Sequence, residues 1–169
     1  MSLPYYFKKK KKTSQNESNE LDMFSKAKPK KQANSQSRLI RKLDRVFSLY
    51  IRLRDVMPNG YVRCIACGRI KKFEEVDCGH FHSRTHMSTR YDEDNCHAEC
   101  RYCNRISADH IIGYSQNLIR KIGQTRFDFL KVKAHSAKHY SDCELEELIK
   151  RYTLEVKKLS SLKGIKVNL

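Results

Sequence analysis

Two CxxC pairs constrain this chain more than any other feature: Cys64 with Cys67, then Cys100 with Cys103, with 32 residues between the pairs. Four thiols so spaced suit tetrahedral Zn²⁺, whose closed d¹⁰ shell imposes no geometry of its own. An iron–sulfur cluster uses the same ligand type and stands as the alternative. Catalytic zinc is disfavoured, because four sulfur ligands leave no open position for water. A disulfide framework is disfavoured as well. The stretch Met1 to Phe7 lacks the charged start and continuous apolar core of a secretory signal. The expected setting is therefore a reducing cytoplasm, where paired cysteines bind metal more often than each other. The remaining Cys78, Cys96 and Cys143 read as small, partly buried apolar side chains.

Around this staple, 169 residues allow one domain with a modest core plus a tail. The 35 Lys and Arg exceed the 19 Asp and Glu to leave a net charge of +16, which favours a polyanionic partner through counterion release from phosphates. Nucleic acid leads. An anionic membrane surface could also attract such a chain, but no apolar run approaches the roughly 18 residues that span a bilayer, so membrane insertion is not expected.

Residues 1–36, with the Lys8 to Lys12 run and Lys26, Lys28, Lys30 and Lys31, read as a disordered basic arm that either grips DNA phosphates or stays solvated. Residues 37–57 carry Leu39, Ile40, Leu43, Val46, Phe47, Tyr50, Ile51 and Leu53 at helical spacing, with Ser37 as the N-cap and Pro58-Asn59-Gly60 as the stop. That stripe is a core face in the simpler reading and a dimer seam in the other. A short strand over Tyr61 to Arg63 leads into the first pair, a second strand covers Val76 to Phe81, and a polar loop spans His82 to Tyr91. A third strand ends near Ala98, and the second pair opens a helix through Arg105. These segments predict a small ββα unit pinned at both ends by one zinc. Beyond it, Ile111 to Ile122 reads as a helix stopped by Gly123, and Phe127, Phe129 and Leu130 form an apolar cluster. Ser141 with Glu144 makes a capping box for a long terminal helix. The expected class is α+β, mainly helical. A single domain over 37–169 divides into the helix at 37–57, the knuckle and ββα unit at 61–105, and C-terminal helices at 106–169.

Between the pairs lie His80 and Asn95, five residues before Cys100, and Asn104 directly follows Cys103. This pattern resembles the HNH, or ββα-metal, nuclease superfamily. More narrowly, Asp77-Cys78-Gly79-His80-Phe81, Ser83-Arg84, Thr89 to Asn95 and Cys100-Arg101-Tyr102-Cys103-Asn104 are similar to the phage NinG (Rap) recombination proteins, best over about residues 40–130. That family is associated with cutting branched DNA such as Holliday junctions and D-loops.

The resemblance implies a structure-selective endonuclease in which His80 is the general base. Asn95 would orient the His80 imidazole, and Asn104 would give an oxygen to a catalytic Mg²⁺ or Mn²⁺. Arg84, Arg90, Arg101 and Arg105 are the phosphate contacts it suggests, by bidentate guanidinium geometry. Lys71 and Lys72 face DNA or form a solvated hairpin tip. Most HNH sites place an acidic ligand directly before the His, where this chain has Gly79. Asp77, two residues earlier on the strand face that Gly79 occupies, is the favoured substitute and His82, sharing a strand face with His80, the other; Asp77 otherwise caps or pairs with a nearby arginine. His97 is set aside as a zinc ligand because four cysteines fill the shell. The competing classes are a non-catalytic zinc-finger DNA-binding protein and a structural zinc adaptor. Symmetric cutting of a four-way junction calls for two active sites, hence a homodimer.

Overall fold

In the computed structural model, which describes residues 35–169, the first apolar stripe winds into α1 (Ser35–Arg54) and buries Leu43, Val46, Phe47, Leu49, Ile51 and Leu53. The helix starts two residues before Ser37, which therefore lies inside its first turn and does not cap it. The basic arm assigned to residues 1–36 falls outside the described residues, apart from Ser35 and Gln36, which open α1.

After α1 the chain forms two separate antiparallel ribbons. β1 (Tyr61–Arg63) pairs with β2 (Ile70–Lys72) around the first CxxC turn. A 3₁₀ turn at Phe73–Glu75 then feeds β3 (Val76–His80), which pairs with β4 (Cys96–Cys100) from Val76 opposite Cys100 to His80 opposite Cys96. β4 runs to Cys100, two residues beyond its expected end, and passes directly into α2 (Arg101–Arg105). Side chains alternate along a strand. Val76, Cys78 and His80 thus share one face with Cys96, Ala98 and Cys100, while Asp77 and Gly79 share the other with His97 and Glu99. Among the described residues β3 has no partner strand on its outer edge.

Each face of this ribbon has its own core. On the first, α1 and α5 (Asp142–Lys163) enclose Phe47, Ile51, Val76, Cys96, Ala98, Leu145, Tyr152 and Val156. On the second, α3 (His110–Ile122) and α4 (Gln124–Ala134) bury Tyr114, Leu118, Phe127 and Leu130 with Ile65, Ala66 and the buried cysteines of the two pairs. Phe127 and Leu130 lie nearly one turn apart and face inward, whereas Phe129, expected in the same cluster, is 68% exposed because two residues turn it away. Gly113 lets α3 press on the first CxxC turn: a Cβ there would sit 2.3 Å from the Ala66 carbonyl oxygen. Asn117 fixes the contact by donating to the Ile65 carbonyl at 2.8 Å.

The expected capping box opens α5. Glu144 N–H donates to Ser141 Oγ at 3.2 Å, and Ser141 N–H donates to Glu144 Oε2 at 2.8 Å. At the far end of α5, Lys163 Nζ donates to the carbonyls of Leu53, Arg54 and Val56 at 2.7, 3.1 and 2.6 Å. It caps the end of α1, where unpaired carbonyls attract a cation. The described fold is α+β and mainly helical, and no described helix is long and apolar enough to cross a membrane.

Leu145, fully buried between α1 and α5, has nowhere to repack. Leu145→Ala is expected to cost about 2–5 kcal/mol, measured by urea unfolding, with the slope of the transition unchanged.

Candidate metal centre and active pocket

The ribbon β1–β2 and the junction of β4 with α2 bring Cys64, Cys67, Cys100 and Cys103 together, with all four sulfurs within 4.8 Å of one another. Cys67 Sγ and Cys100 Sγ lie 3.9 Å apart, close to the roughly 3.8 Å that tetrahedral Zn–S bonds of 2.3 Å require. Main-chain bonds shape the turn: Cys64 N–H donates to the Arg69 carbonyl and Gly68 N–H to the Cys64 carbonyl, both at 2.9 Å. Cys100 N–H points at Cys64 Sγ at 3.3 Å, the bond that commonly steadies a metal thiolate. Burial pushes the Cys64 thiol up to about 11, and a bound cation reverses this by removing the proton outright. The cluster can hold a metal ion such as zinc.

Next to it a cavity of about 380 Å³ is lined by Asp77, Cys78 and His80 of β3, Asn104 and Arg105 of α2, Arg84, and Asp44, Phe47 and Ser48 of α1. Asp77 and His80 belong to opposite faces of β3, so the cavity wraps round the unpaired edge of that strand. Asn104 Nδ2 donates to Asp77 Oδ2 at 3.2 Å. Arg105 grips the same carboxylate with both prongs, Nε to Oδ2 at 2.7 Å and Nη2 to Oδ1 at 2.9 Å. Partial burial alone would raise the Asp77 carboxyl, but the Arg105 and Asn104 bonds outweigh it and hold it below the ordinary value. The His80 ring points Nε2 at the Arg90 carbonyl, 3.2 Å away. A carbonyl only accepts, so that nitrogen carries the proton and Nδ1 keeps the lone pair. Burial lowers the pKa of His80, and the ring is neutral at pH 7.

Other expected residues sit elsewhere. Asn95 is fully buried, and among the described residues its side chain bonds to main chain: Nδ2 donates to the carbonyls of His82 and Thr89 at 2.9 and 3.0 Å, and Oδ1 accepts from His82 N–H at 2.7 Å. It clamps the loop that carries the Arg90 carbonyl and so reaches the His80 ring through that loop, not by contact. His82, expected to share a face with His80, lies beyond the end of β3, where alternation no longer applies. Its ring packs against Phe81 and His86, with centroids 4.8 and 5.8 Å away, outside the lining of the cavity. Arg90 is committed to Asp44, with bonds of 2.9 and 2.6 Å, and is only 18% exposed. It is not offered to a ligand. Arg101 donates to the Glu74 carbonyl from an exposed position, and Lys71 and Lys72 lie on β2, away from the cavity lining.

The family model described as Bacteriophage Lambda NinG protein matches residues 5–161. The chain belongs to the NinG family. It is 26% identical to Protein ninG of Escherichia phage 933W over 120 residues, covering 66% of this chain and 59% of that protein. Against Protein ninG of Escherichia phage lambda it is 25% identical over 120 residues, covering 66% and 58%. For Enterobacteria phage H19B the figures are 28% over 89 residues, 48% and 44%. The chain thus spans under two thirds of the length of the curated relatives it matches. No solved structure matches it.

In this NinG-family chain the glycine before His80 has a steric cause. Glu99, on β4, is fully buried, and a Cβ on Gly79 would lie 2.2 Å from its Oε2 and 2.8 Å from its Cβ. The space of a side chain at 79 is filled from the neighbouring strand. His110 Nδ1 meets Glu99 Oε1 at 2.8 Å, while Oε2 has no partner among the described residues; burial raises the Glu99 carboxyl against the pull of His110. Glycine inside a strand was the available signal for such a close approach. On the same face the buried His97 takes donors from Arg54 and Lys121 on Nδ1, at 2.8 and 2.9 Å, while its Nε2 meets no partner among the described residues. A larger cavity of about 500 Å³, lined by Asp55, Cys64, Asn117, Arg120 and Lys121 among others, holds none of the expected catalytic residues.

Two outcomes test this geometry. Cys67→Ser, at an exposed sulfur, is expected to reduce bound zinc and lower the melting temperature, read by elemental analysis and circular dichroism. Gly79→Ala is expected to cost about 1–3 kcal/mol by overpacking against Glu99, and markedly less in a Glu99→Ala background, a coupling that a double-mutant cycle in urea measures.

Proposed function

We propose that this chain is a metal-dependent endonuclease of the HNH type that cuts branched DNA, such as Holliday junctions or D-loops, during phage recombination. The observation that carries this reading is the convergence of Asp77, His80 and Asn104 on one cavity rimmed by Arg84 and Arg105. The net charge of +16 supports DNA as the partner. Family membership supports the recombination setting through the resemblance already described.

The chemistry runs from the residues. Arg105 is 60% exposed, and an incoming phosphate competes for its fork with the Asp77 carboxylate. Freed, Asp77 joins the Oδ1 of Asn104, whose Nδ2 already points at Asp77. A carboxylate and an amide oxygen are hard donors, and they would hold Mg²⁺ or Mn²⁺. When bound, that ion supplies charge neutralisation at the scissile phosphate and its 3′ oxygen. His80, neutral and with its lone pair on Nδ1, accepts the proton of the attacking water; Arg84 steadies the phosphate. A homodimer would present two such sites to a four-way junction.

A second reading is a zinc-stapled DNA-binding module without catalysis. It is favoured by the full engagement of both Asp77 carboxylate oxygens by Arg105.

Synthetic four-way junctions, D-loops and plain duplexes, incubated with Mg²⁺ or EDTA, separate the two. The nuclease reading expects Mg²⁺-dependent cuts in branched DNA, reduced about 10²–10⁴-fold in His80→Ala. Tight junction binding with no cleavage under any divalent cation decides for the binding module.

The pH dependence has a defined sign. Because the fold lowers the His80 pKa below 6.5, cleavage is expected to hold down to pH values where an ordinary histidine is protonated, then to fall. The unfolded chain takes up that proton first, so His80 makes stability decline as pH drops below about 6.5. In His80→Gln this part of the decline, followed by urea unfolding, should disappear.

A further inference from the structure

The face of β3 and β4 turned toward α1 carries three soft donors that the proposed reaction uses only in part. Cys78 and His80 are two residues apart on β3, and Cys96 lies directly opposite His80 on β4. One ligand atom from each falls within 4.8 Å of the other two. His80 Nε2 and Cys96 Sγ both donate to the Arg90 carbonyl, at 3.2 and 3.7 Å, so an ion takes the lone pair on His80 Nδ1 or displaces these two bonds. Cys96 is fully buried, while Cys78 and His80 are partly exposed and line the cavity, so an ion has a path in.

We infer that Cys78, His80 and Cys96 form a second metal site, selective for Zn²⁺ or a similarly soft cation, that switches the pocket off by occupying the His80 imidazole. Two thiolates and an imidazole match Zn²⁺ and not Mg²⁺ or Mn²⁺, which prefer oxygen. Three protein ligands leave the fourth position facing the cavity, for water or a phosphate oxygen. The four-cysteine cluster is closed and structural, and the second site is open, so the two fill in separate steps. The blocking effect rests on the reading of His80 as the base: a ring nitrogen bonded to Zn²⁺ cannot take a proton from water. The metal site itself does not depend on that reading.

The test uses the full chain carrying its structural zinc, equilibrated in zinc-buffered solutions of rising free Zn²⁺, with bound metal per chain measured by elemental analysis. The parent is expected to take up a second zinc. Cys78→Ser, at a partly exposed position, keeps the first zinc and binds the second at least about tenfold more weakly, since even outer-shell ligand partners are worth 10–100-fold. Replacing the second ion by Co²⁺ adds thiolate-to-cobalt absorption that Cys96→Ala loses. A parent that saturates at one zinc, or a Cys78→Ser variant whose second step is unchanged, overturns the site. In Mg²⁺-dependent junction cleavage, excess Zn²⁺ is expected to suppress the parent relative to its own zinc-free rate and to suppress Cys78→Ser far less. Two bound zincs with undiminished cleavage overturn the blockade and count against His80 as the base. Absence of cleavage in every condition bears on the nuclease reading alone, and the zinc stoichiometry then decides the site.

Discussion

The four-sulfur cluster fixes where α2 leaves the end of β4 and, with it, one side of the pocket. It joins the turn between β1 and β2 to the junction of β4 and α2, segments 36 residues apart from Cys64 to Cys100. Each element it touches is short, three residues in β1 and five in α2, and too small to hold a shape alone. An ion bound across both turns would supply the order that local hydrogen bonds do not. Asn104 inherits its place from Cys103 directly before it, and Asp77 from its pairing opposite Glu99, one residue short of Cys100. The side chains that reach the cavity from α2, Asn104 and Arg105, therefore follow directly on a cysteine of the cluster.

Two aspartates line the cavity, and both are matched by arginine, but the pairs differ in what they can do. Asp44 with Arg90 is largely enclosed, with the guanidinium 18% exposed, and also accepts from Tyr91 at 3.0 Å. Separating it would strand a charge, so it braces the loop against α1. Asp77 with Arg105 has its guanidinium 60% exposed, where an ion pair contributes little and exchanges readily. Another acid of this ribbon, Glu99, faces away from such exchange. It is wholly buried under α3 and held by His110. The glycine at 79 is the complement of that glutamate.

Spacing made much of this visible from residues alone. Thiol pairs, the stripe of α1, the Ser141 box of α5 and the stop at Gly123 are local patterns with local causes, and they recur as elements. The role of Arg90 was hidden because its partner Asp44 lies 46 residues away on another element. Asn95 looked like a side chain aimed at a ring, but a buried amide has several bonds to satisfy and found them in the loop main chain. His82 was placed by strand alternation that ends two residues earlier, at His80. Gly79 read as a missing ligand, although a glycine in a strand equally marks an occupied space, and only the cross-strand register names Glu99 as the occupant.

The lysine at the end of α5 has a bearing on the order in which the pocket is completed. Lys163 holds three carbonyls at the close of α1, the nearest of them 107 residues away along the chain. α1 provides one wall of the cavity through Asp44, Phe47 and Ser48. A contact of such long range forms late, because the loop it closes must be ordered before the bond returns anything. During synthesis the cysteine turns and both ribbons emerge well before Lys163 does. The four cysteines can thus come together on a nascent chain while the wall beside His80 is still unlatched, so that a gathered cluster is not yet a finished pocket.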